Sequence, residues 1–237
     1  MSDGSTSPRA QQVRRTFDKI TDYYDRMNQL MTLGRHRAWC REVAAKAAVP
    51  SAGRLLDIAT GTGVIALSAL DRYPEAEIHA VDFSEPMLAR AAGKPGASAI
   101  SWQQADANHL PFSDESFDAV THGYLLRNVQ DIERVLAEQH RVLRPGGRLV
   151  VLETCPPRGL LRYPVALGMR VLIPLLGQLV AGDRGSYTYL QESTLGFETP
   201  EEVAAVLRRC GFTDVQWRRK FLGTNMIITA RKPAADR

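Results

Sequence analysis

Cysteine is scarce in this 237-residue chain, and none of its three cysteines belongs to a Cys-x-x-Cys pair. Because Cys40, Cys155 and Cys210 are widely spaced and odd in number, a disulfide framework and a cysteine zinc site are both disfavoured. No cluster of His, Cys and carboxylates suggests a metal site, so we predict none. Residues 1–10 are small and polar and lack the apolar run of a secretory signal. These absences predict a reducing, cytoplasmic location.

The sequence also lacks a dense basic patch. Its formal net charge is +4, but the arginines are spread along the chain. A nucleic-acid footprint needs a denser patch or stacked aromatic residues, so we predict no nucleic-acid partner and interpret the charge as solvated surface with weak attraction to anionic lipid. With 44% hydrophobic residues, the chain can bury one sizeable core. We predict a disordered N-terminus at residues 1–11 and a single domain at residues 12–237.

The rest of the chain is organised around a strand, a glycine turn and a helix. Residues 55–58 form a short predicted strand, and residues 64–73 carry apolar side chains at helical spacing. The turn between them contains Gly61 and Gly63, which tolerate unusual φ angles and let a ligand approach the backbone closely. A dinucleotide fingerprint needs a third glycine, where Ala66 stands. Alone, the glycine pair fits a plain tight turn as well as a nucleotide site.

A carboxylate on the next strand favours the nucleotide interpretation. The predicted strand at residues 78–81 ends in Asp82, which lies 25 residues after Asp57. A carboxylate at the tip of the second strand of an α/β sheet suits the two hydroxyl donors of a ribose. The combination indicates an adenosine-type ligand. Because no third glycine is present to seat a pyrophosphate, S-adenosylmethionine is favoured over a dinucleotide.

Repeated strand–helix alternation predicts an α/β fold with a doubly wound, mostly parallel sheet and helices on both faces. Further strands are expected at residues 100–104, 117–121 and 149–153, with 143–148 as a turn, and the last two, 215–220 and 226–230, as a hairpin with one antiparallel member. Open α/β sheets bind ligands at the carboxyl ends of their strands. Asp106 is therefore placed to accept the adenine amine, with a solvated loop aspartate as the alternative. Arg127 and Asn128 follow the fourth strand, where substrate chemistry is expected.

Two further segments are predicted to be helical. Residues 12–50 are either an amphipathic cap or a lid over the cofactor pocket, and the lid would explain Tyr24, Asn28, His36 and Trp39. Residues 160–195 begin with an apolar stretch that arginines and prolines interrupt, so it is a poor membrane span. This insertion is either a buried helical hairpin or an apolar roof that holds an isoprenoid tail or rests on a bilayer surface.

Four segments resemble class I S-adenosylmethionine-dependent methyltransferases and, within them, the ubiquinone/menaquinone C-methyltransferase family. They are residues 24–39, with Tyr-Asp-Arg-Met-Asn and His-Arg-Ala-Trp; 56–63, with the glycine turn; 126–129, Leu-Arg-Asn-Val; and 141–153, with Arg-Pro-Gly-Gly. With residues 186–193 added, the resemblance covers residues 13–232. The chain departs from the family pattern at Val64, usually Asp, and at Gly123, usually Ser. Smaller departures are Thr32, Leu125, Arg144 and Cys155.

The resemblance implies a Rossmann-like class I methyltransferase fold with an N-terminal helical cap and a helical insertion after strand five. It implies transfer of the sulfonium methyl of S-adenosylmethionine to a ring carbon of a prenylated hydroquinone, with Arg127, Asn128 and Tyr24 as catalytic residues. The residues expected to line the cofactor are Gly61, Thr62, Gly63, Asp82, Asp106, Ala107 and Gly123, with Asp57 bracing the turn. A hydrophobic quinol-like substrate, peripheral contact with the inner face of a membrane and a homodimer are the expected partners.

Three alternatives stay open. Val64 and Gly123 are compatible with a methyltransferase of the same fold that acts on a sterol or an aromatic secondary metabolite. A non-catalytic S-adenosylmethionine-binding subunit of a quinone-biosynthesis complex is disfavoured by the Arg127–Asn128 pair. A nicotinamide oxidoreductase is disfavoured by Ala66.

Overall fold

Seven strands form a single sheet in the computed structural model, which describes residues 8–160 and 162–235. In chain order they are β1 (Arg54–Ile58), β2 (Glu77–Asp82), β3 (Ile100–Gln104), β4 (Phe117–Gly123), β5 (Leu143–Thr154), β6 (Thr213–Lys220) and β7 (Asn225–Arg231). Their order across the sheet is β3-β2-β1-β4-β5-β7-β6, and β7 pairs antiparallel with both β5 and β6. The other neighbours pair parallel. The prediction of a doubly wound, mostly parallel sheet with one antiparallel strand is confirmed.

Helices surround this sheet, and local sequence signals set where several of them begin. The α-helices are α1 (Pro8–Ile20), α2 (Tyr24–Met31), α3 (His36–Ala47), α4 (Val64–Arg72), α5 (Glu85–Ala92), α6 (Ile132–Val142), α7 (Arg162–Ala181), α8 (Arg184–Leu195) and α9 (Pro200–Arg209). Ser84 and Asp131 cap α5 and α6 with their side chains. Thr199 and Glu202 form a capping box at α9. Each cap satisfies backbone N–H groups that lack a partner within the helix.

Two boundaries differ from the predictions. Residues 8–11 are helical rather than disordered, because α1 begins at Pro8 and proline is well tolerated in a first helical turn; residues 1–7 lie outside the described residues. Residues 143–148 belong to β5 instead of forming a separate turn. Leu143 pairs with Phe117, and the register then shifts so that Arg148 pairs with Ala119. The extra β5 residues bulge between these two pairs, where Gly146 adopts a φ of 79°.

The hydrophobic core covers both faces of the sheet because successive strand residues point to opposite faces. Leu56 and Val151 pack with residues of α6 and α9 on one face. Leu55 and Val150 pack with residues of α3 and α4 on the other. A register slip of one residue would exchange the two faces, so burial on both sides holds the register. The carboxyl ends of β1, β2 and β4 consequently meet at one edge of the sheet.

A third apolar cluster joins the N-terminal cap to the insertion after β5. Its buried members include Ile20 of α1, Met27 of α2, Met87 of α5 and Tyr187 of α8. The side of α7 that faces this cluster contributes Ile173. The cap and the insertion therefore pack on each other beside the edge of the sheet where the strands end.

The outward side of α7 is exposed. Among the described residues, α7 is the helix with the length and apolarity to cross a bilayer, with 20 residues and a mean hydropathy of 1.6. Only 11% of its apolar 18-residue window is buried. The alternative of an ordinary buried helical hairpin is wrong for α7.

Candidate active site

A cavity of about 620 Å³ lies at the carboxyl edge of the sheet. Its walls come from the turn after β1, the end of β2, the loop after β3, the end of β4, and α1 and α2. The volume is within the range of about 300–1,000 Å³ that small-molecule sites occupy. The site residues predicted from the sequence that line this cavity are Tyr24, Gly61, Asp82, Asp106, Ala107, Gly123 and Asn128. Asp57, Thr62, Gly63 and Arg127 do not line it.

Asp82 is held in a fixed orientation on the cavity wall. Its Oδ2 accepts a hydrogen bond from the backbone N–H of Gly61 at 2.7 Å, and its Oδ1 accepts one from the N–H of Ser84 at 2.8 Å. Burial raises the pKa of Asp82, and these backbone donors oppose that effect. Each carboxylate oxygen has more than one lone pair, so both can also accept a hydrogen bond from a ligand. The arrangement suits a diol such as that of a ribose.

Gly61 provides a backbone surface beside Asp82. Its φ is 55°, and a Cβ placed there would meet the Cε1 of Tyr24 at 3.7 Å. Ala59, on the same wall, also has a positive φ of 49°, which is unfavourable for a residue with a side chain. Gly63 serves a different purpose. It has a φ of 77°, and a Cβ there would lie 2.6 Å from the Cη2 of Trp102, so glycine permits close packing rather than ligand contact.

Asp57 lies behind the turn, fully buried. Its two oxygens accept hydrogen bonds from the hydroxyls of Thr60 at 2.6 Å and Thr121 at 2.7 Å. Burial raises the pKa of Asp57 to about 7, although these hydroxyls favour its charged form. Asp57 therefore joins the glycine turn to β4, which agrees with its predicted bracing role and gives it no place on the cavity wall.

Thr62 connects the turn to the cap instead of facing the cavity. Its hydroxyl donates a hydrogen bond to the carboxylate of Asp25 in α2. Lys94 binds both sides of this contact, with its Nζ 2.6 Å from the Asp25 Oδ2 and 2.7 Å from the Thr62 carbonyl. Thr62 is 1% exposed, its hydroxyl is bound to Asp25, and it does not line the cavity, so its cofactor contact stays a prediction.

Three predicted cofactor residues from neighbouring strands lie on the wall. Asp106 and Ala107 follow β3, and Gly123 ends β4. The Oδ1 of Asp106 accepts hydrogen bonds from the backbone N–H and side-chain amide of Asn108, which hold the carboxylate in place. A Cβ at Gly123 would lie 3.0 Å from the Cδ1 of Ile65, so even a small side chain there would press on α4. The glycine at this departure from the family pattern thus fits its neighbours closely.

Tyr24 and Asn128 bring polar groups to the same cavity. Burial raises the pKa of Tyr24 to about 12, while the charge of Arg127 acts against this rise. The Asn128 amide is fixed at both ends. Its Nδ2 donates to the Tyr124 carbonyl at 2.7 Å, and its Oδ1 accepts from the Tyr189 hydroxyl of α8 at 3.0 Å. The insertion after β5 therefore orients Asn128.

Arg127 is 8% exposed and lies behind the wall. Its Nη1 pairs with the Oε1 of the fully buried Glu153 at 2.8 Å, and its guanidinium lies 5.0 Å from the centre of the Tyr124 ring. Glu153 also accepts hydrogen bonds from the backbone N–H groups of Leu126 and Thr154. This carboxylate, at the end of β5, holds the guanidinium inside the protein, so Arg127 does not reach the cavity wall.

Sequence reasoning missed the contribution of α1. Val13, Arg14 and Phe17 line the cavity, and the Arg14 guanidinium lies 5.3 Å from the centre of the Phe83 ring. The available signal for Phe83 was its position directly after Asp82. Two further cavity residues, His109 and Arg134, contact each other and were not singled out either.

Two of the residues proposed for a lid are buried in the protein instead. His36 stacks on the Tyr124 ring with centroids 5.9 Å apart, and burial lowers its pKa to about 4. Trp39 belongs to the apolar cluster beneath α3. Tyr24 is the cap residue from that group that reaches the cavity wall, whereas Asn28 is buried beside it. The cap thus contributes to both the cavity wall and the core, and its role as a lid stays a prediction.

The residues present fit S-adenosylmethionine. Asp82 offers two oxygens to a ribose, Gly61 offers backbone beside it, and Asp106 is placed to accept an amine hydrogen from an adenine. Among residues 8–160 and 162–235, no group of three or more His, Cys, Asp and Glu side chains could hold a metal ion.

Comparison with known proteins also indicates a methyltransferase. A model described as the ubiE/COQ5 methyltransferase family matches residues 5–232. The chain is 48% identical over 213 residues to the ubiquinone/menaquinone biosynthesis C-methyltransferase UbiE of Desulfotalea psychrophila, covering 90% of this chain and 87% of that protein. It is 43% identical over 212 residues to a demethylmenaquinone methyltransferase of Deinococcus radiodurans, covering 88% of each.

Solved structures of lower sequence identity share the fold. The crystal structure of the cyclase SpnF superposes with a TM-score of 0.72 at 22% identity and covers 98% of this chain and all of the other. An S-adenosylmethionine-dependent methyltransferase from Thermotoga maritima superposes with a TM-score of 0.64 at 22% identity and covers 92% of this chain and 99% of its own. The family match and the cavity together lead to one conclusion: the chain belongs to the ubiE/COQ5 methyltransferase family and is an S-adenosylmethionine-dependent methyltransferase.

Proposed function

We propose that this enzyme methylates a ring carbon of a prenylated hydroquinone, a demethylmenaquinol or a ubiquinol precursor. The observation that carries the proposal is that one cavity contains both the ribose-type carboxylate Asp82 and the polar pair Tyr24 and Asn128. The printed names of the relatives from Desulfotalea psychrophila and Deinococcus radiodurans support a quinone-biosynthesis C-methyltransferase. The substrate would lie between these two sets of groups.

The cavity suits the binding of a phenolic ring. Phe17, Leu125 and Val129 provide apolar walls, and the ring hydroxyls require only a few polar partners. Because the pKa of Tyr24 is about 12, its hydroxyl stays protonated at neutral pH and can donate a hydrogen bond to a substrate oxygen. Asn128 keeps one amide hydrogen and one lone pair beyond its contacts with Tyr124 and Tyr189. Tyr24 and Asn128 would therefore orient the hydroquinone.

S-adenosylmethionine supplies an electrophilic sulfonium methyl when it is bound. The ring carbon that receives the methyl must be electron-rich, so the hydroquinone is a competent acceptor and the oxidised quinone is not. As the methyl adds, electron density moves from the adjacent hydroxyl oxygen into the ring, and a hydrogen bond from that hydroxyl to an acceptor such as the Asn128 Oδ1 stabilises the positive charge that develops. The ring carbon then releases its proton to solvent as the ring regains aromaticity. Exclusion of water by the cap strengthens such a hydrogen bond.

Arg127 would act as a positioning residue rather than by touching the substrate. It is tied to Glu153 and lies against the Tyr124 ring. Tyr124 has a φ of 60°, which is unfavourable for a residue with a side chain, and its carbonyl holds Asn128. The Arg127–Glu153 pair would therefore maintain the backbone that presents Asn128. This assignment replaces the guanidinium–phenolate contact expected from the sequence.

The enzyme would work in the cytoplasm, next to the membrane that contains its prenylated substrate. The hydrophobic substrate class follows from the relatives' names. The homodimer expected from the sequence stays a prediction. The membrane contact is argued below from the surface of α7.

Methyl transfer to a reduced, short-chain prenyl naphthohydroquinone or benzohydroquinone tests the proposal directly. We expect one methyl per ring in the product, an equal amount of S-adenosylhomocysteine, and no reaction when the oxidised quinone is supplied. Tyr24→Phe removes only the hydroxyl and serves as the matched variant; it should lower kcat while S-adenosylhomocysteine affinity changes little. Binding of S-adenosylhomocysteine without turnover on either quinol would favour the non-catalytic subunit, and methylation of a sterol in preference to a quinol would favour the other acceptor class.

A further inference from the structure

The outward face of α7 is a continuous apolar stripe. Tyr163, Leu167, Val171, Leu175 and Leu179 recur every fourth residue and are between 49% and 73% exposed. Residues four apart are neighbours on a helix surface, and each step of four turns about 40° further around the axis, so these five side chains form a row that winds across the outward half of α7. Contiguous apolar surface on this scale marks a site of protein or membrane contact. We call this row the α7 stripe.

The other side of α7 is firmly packed, so the helix has a defined inside and outside. Pro174 and Gly177 are its buried residues. A Cβ at Gly177 would lie 2.3 Å from the Tyr187 ring, so the two helices of the insertion approach as closely as glycine allows. Ile173 and Leu176 join the apolar cluster shared with the cap. The α7 stripe therefore stays outward while the inner side is held in the protein.

Charges around the stripe select the kind of partner. The sequence of α7 contains two arginines, Arg162 and Arg170, and no acidic residue. Both arginines are exposed. The helix α2 packs against α7, and Leu30 in α2 and Leu33 just after it are exposed as well. Apolar side chains with a rim of arginines complement a lipid surface with anionic headgroups.

We propose that α7 lies flat on an anionic membrane surface, with the α7 stripe inserted at the boundary between headgroups and acyl chains. The inner side of α7 stays packed on α8, so the helix does not cross the bilayer despite its length. A second copy of the chain fits this face less well. In a contact between two α7 helices, every charged residue of both helices would be an arginine, so the charges would repel each other. This membrane contact deepens the proposed function, since it would bring the cavity to a lipid-soluble quinol.

Co-sedimentation with vesicles tests the contact without relying on turnover. The vesicles are phosphatidylcholine alone, or with about one third phosphatidylglycerol as the anionic lipid. The variant Leu167→Gln/Val171→Gln/Leu175→Gln removes the centre of the α7 stripe and should weaken binding to anionic vesicles about 100-fold, the product of three lost apolar insertions. The conservative variant Leu167→Met/Val171→Ile/Leu175→Met keeps the positions apolar and should bind like the wild type. Arg162→Gln/Arg170→Gln should lose about tenfold, on anionic vesicles only.

Two further measurements on the same proteins show whether each variant is folded and which oligomeric state it has. S-adenosylhomocysteine affinity, measured by calorimetry, should be unchanged in every variant and shows that each is folded. Light scattering gives the oligomeric state. Vesicle binding by the glutamine variant at the wild-type level would overturn the proposal. It would also be overturned if neither protein binds vesicles and the wild type is a dimer while the glutamine variant is a monomer.

Failure of the proposed function can be recognised separately. A short-chain quinol in solution should be methylated equally by the wild type and the glutamine variant. If neither protein methylates it while vesicle binding still depends on the α7 stripe, the substrate assignment fails and the membrane contact stands.

Discussion

The buried pair Arg127–Glu153 offers a direct test of how the protein supports Asn128. We compare three variants, Arg127→Met, Glu153→Gln and the two combined. The Arg127 Nη1 lies 2.8 Å from the Glu153 Oε1, with Glu153 fully buried and Arg127 8% exposed. Neither residue lines the cavity. The substitutions therefore perturb the support of the site and leave its walls unchanged.

The structure sets the expected size of each effect. Loss of one partner leaves a buried charge without compensation, which costs about 3–5 kcal/mol of the free energy of unfolding. Glu153→Gln has a further cost, because both carboxylate oxygens accept from backbone N–H groups, of Leu126 at 2.9 Å and Thr154 at 2.8 Å, and an amide nitrogen would face one of these donors. The combined variant removes both charges. The combined variant should therefore lose about 2–3 kcal/mol less unfolding free energy than the two single variants lose together.

Urea unfolding followed by circular dichroism measures the three losses, and calorimetry and steady-state kinetics supply the functional comparison. We expect S-adenosylhomocysteine affinity within a few-fold of the wild type, because Asp82 and Gly61 line the cavity and neither Arg127 nor Glu153 does. We expect kcat to fall in all three variants, including the combined one, because the segment that holds Asn128 has lost its anchor. Arg127→Lys serves as a milder variant if a single substitution prevents folding. If the unfolding free energy lost by the combined variant equals the sum of the two single losses to within about 0.5 kcal/mol, the two residues are not coupled. A wild-type kcat in the combined variant would refute the positioning role.

Three other predictions follow from the geometry of the turn. Asp82→Asn should weaken S-adenosylhomocysteine binding by about 1.5–3 kcal/mol, the scale of a lost charged hydrogen bond, and unchanged affinity by calorimetry would remove Asp82 from the site. Both Gly61→Ala and Gly63→Ala place a side chain at a positive φ, but only the Cβ at position 63 would also lie 2.6 Å from Trp102. Gly63→Ala should therefore lower the unfolding free energy more, and Gly61→Ala should lower affinity more; the reverse pattern would contradict both assignments. The pKa of Asp57 is raised to about 7, so its folded state binds the proton more tightly than the unfolded state, and its contribution to stability is lost as pH rises from about 4 to about 7. Asp57→Asn should flatten the stability profile in that window, and an unchanged profile would exclude Asp57 as its source.

Much of the fold could be predicted because its signals are local. The short apolar runs of the strands, the glycine turn and the Ser84 cap of α5 act over a few positions, and each agrees with the structure. The placement of Asp82 on the cavity wall also follows from a local rule, since a residue at the end of a parallel strand lies at the edge where ligands bind. The fold and half of the site therefore required no knowledge of distant contacts.

A common physical cause explains why some predicted site residues lie off the cavity wall. Whether Arg127 faces the cavity depends on Glu153, 26 positions later, and whether Gly63 contacts a ligand or a side chain depends on Trp102. Tertiary partners decide both cases, and nothing adjacent in sequence marks them. The exposure of α7 is similar, because a run of apolar residues has the same appearance in sequence whether it packs in a core or contacts lipid.

The contacts of the cap connect the cavity wall around Asp82 with the inner side of α7. Asp18 accepts a hydrogen bond from the Ser84 hydroxyl at 2.5 Å, while the Ser84 N–H binds Asp82. Asp25 binds Lys94 and the hydroxyl of Thr62, so the cap is joined to the glycine turn as well. The opposite side of the cap packs on α7 and α8 in the third apolar cluster. A ligand that binds Asp82 better when the cap is docked must, by linkage, favour the docked cap. The same docked cap packs against the inner side of α7, so closure over the cofactor and orientation of the α7 stripe share one set of contacts.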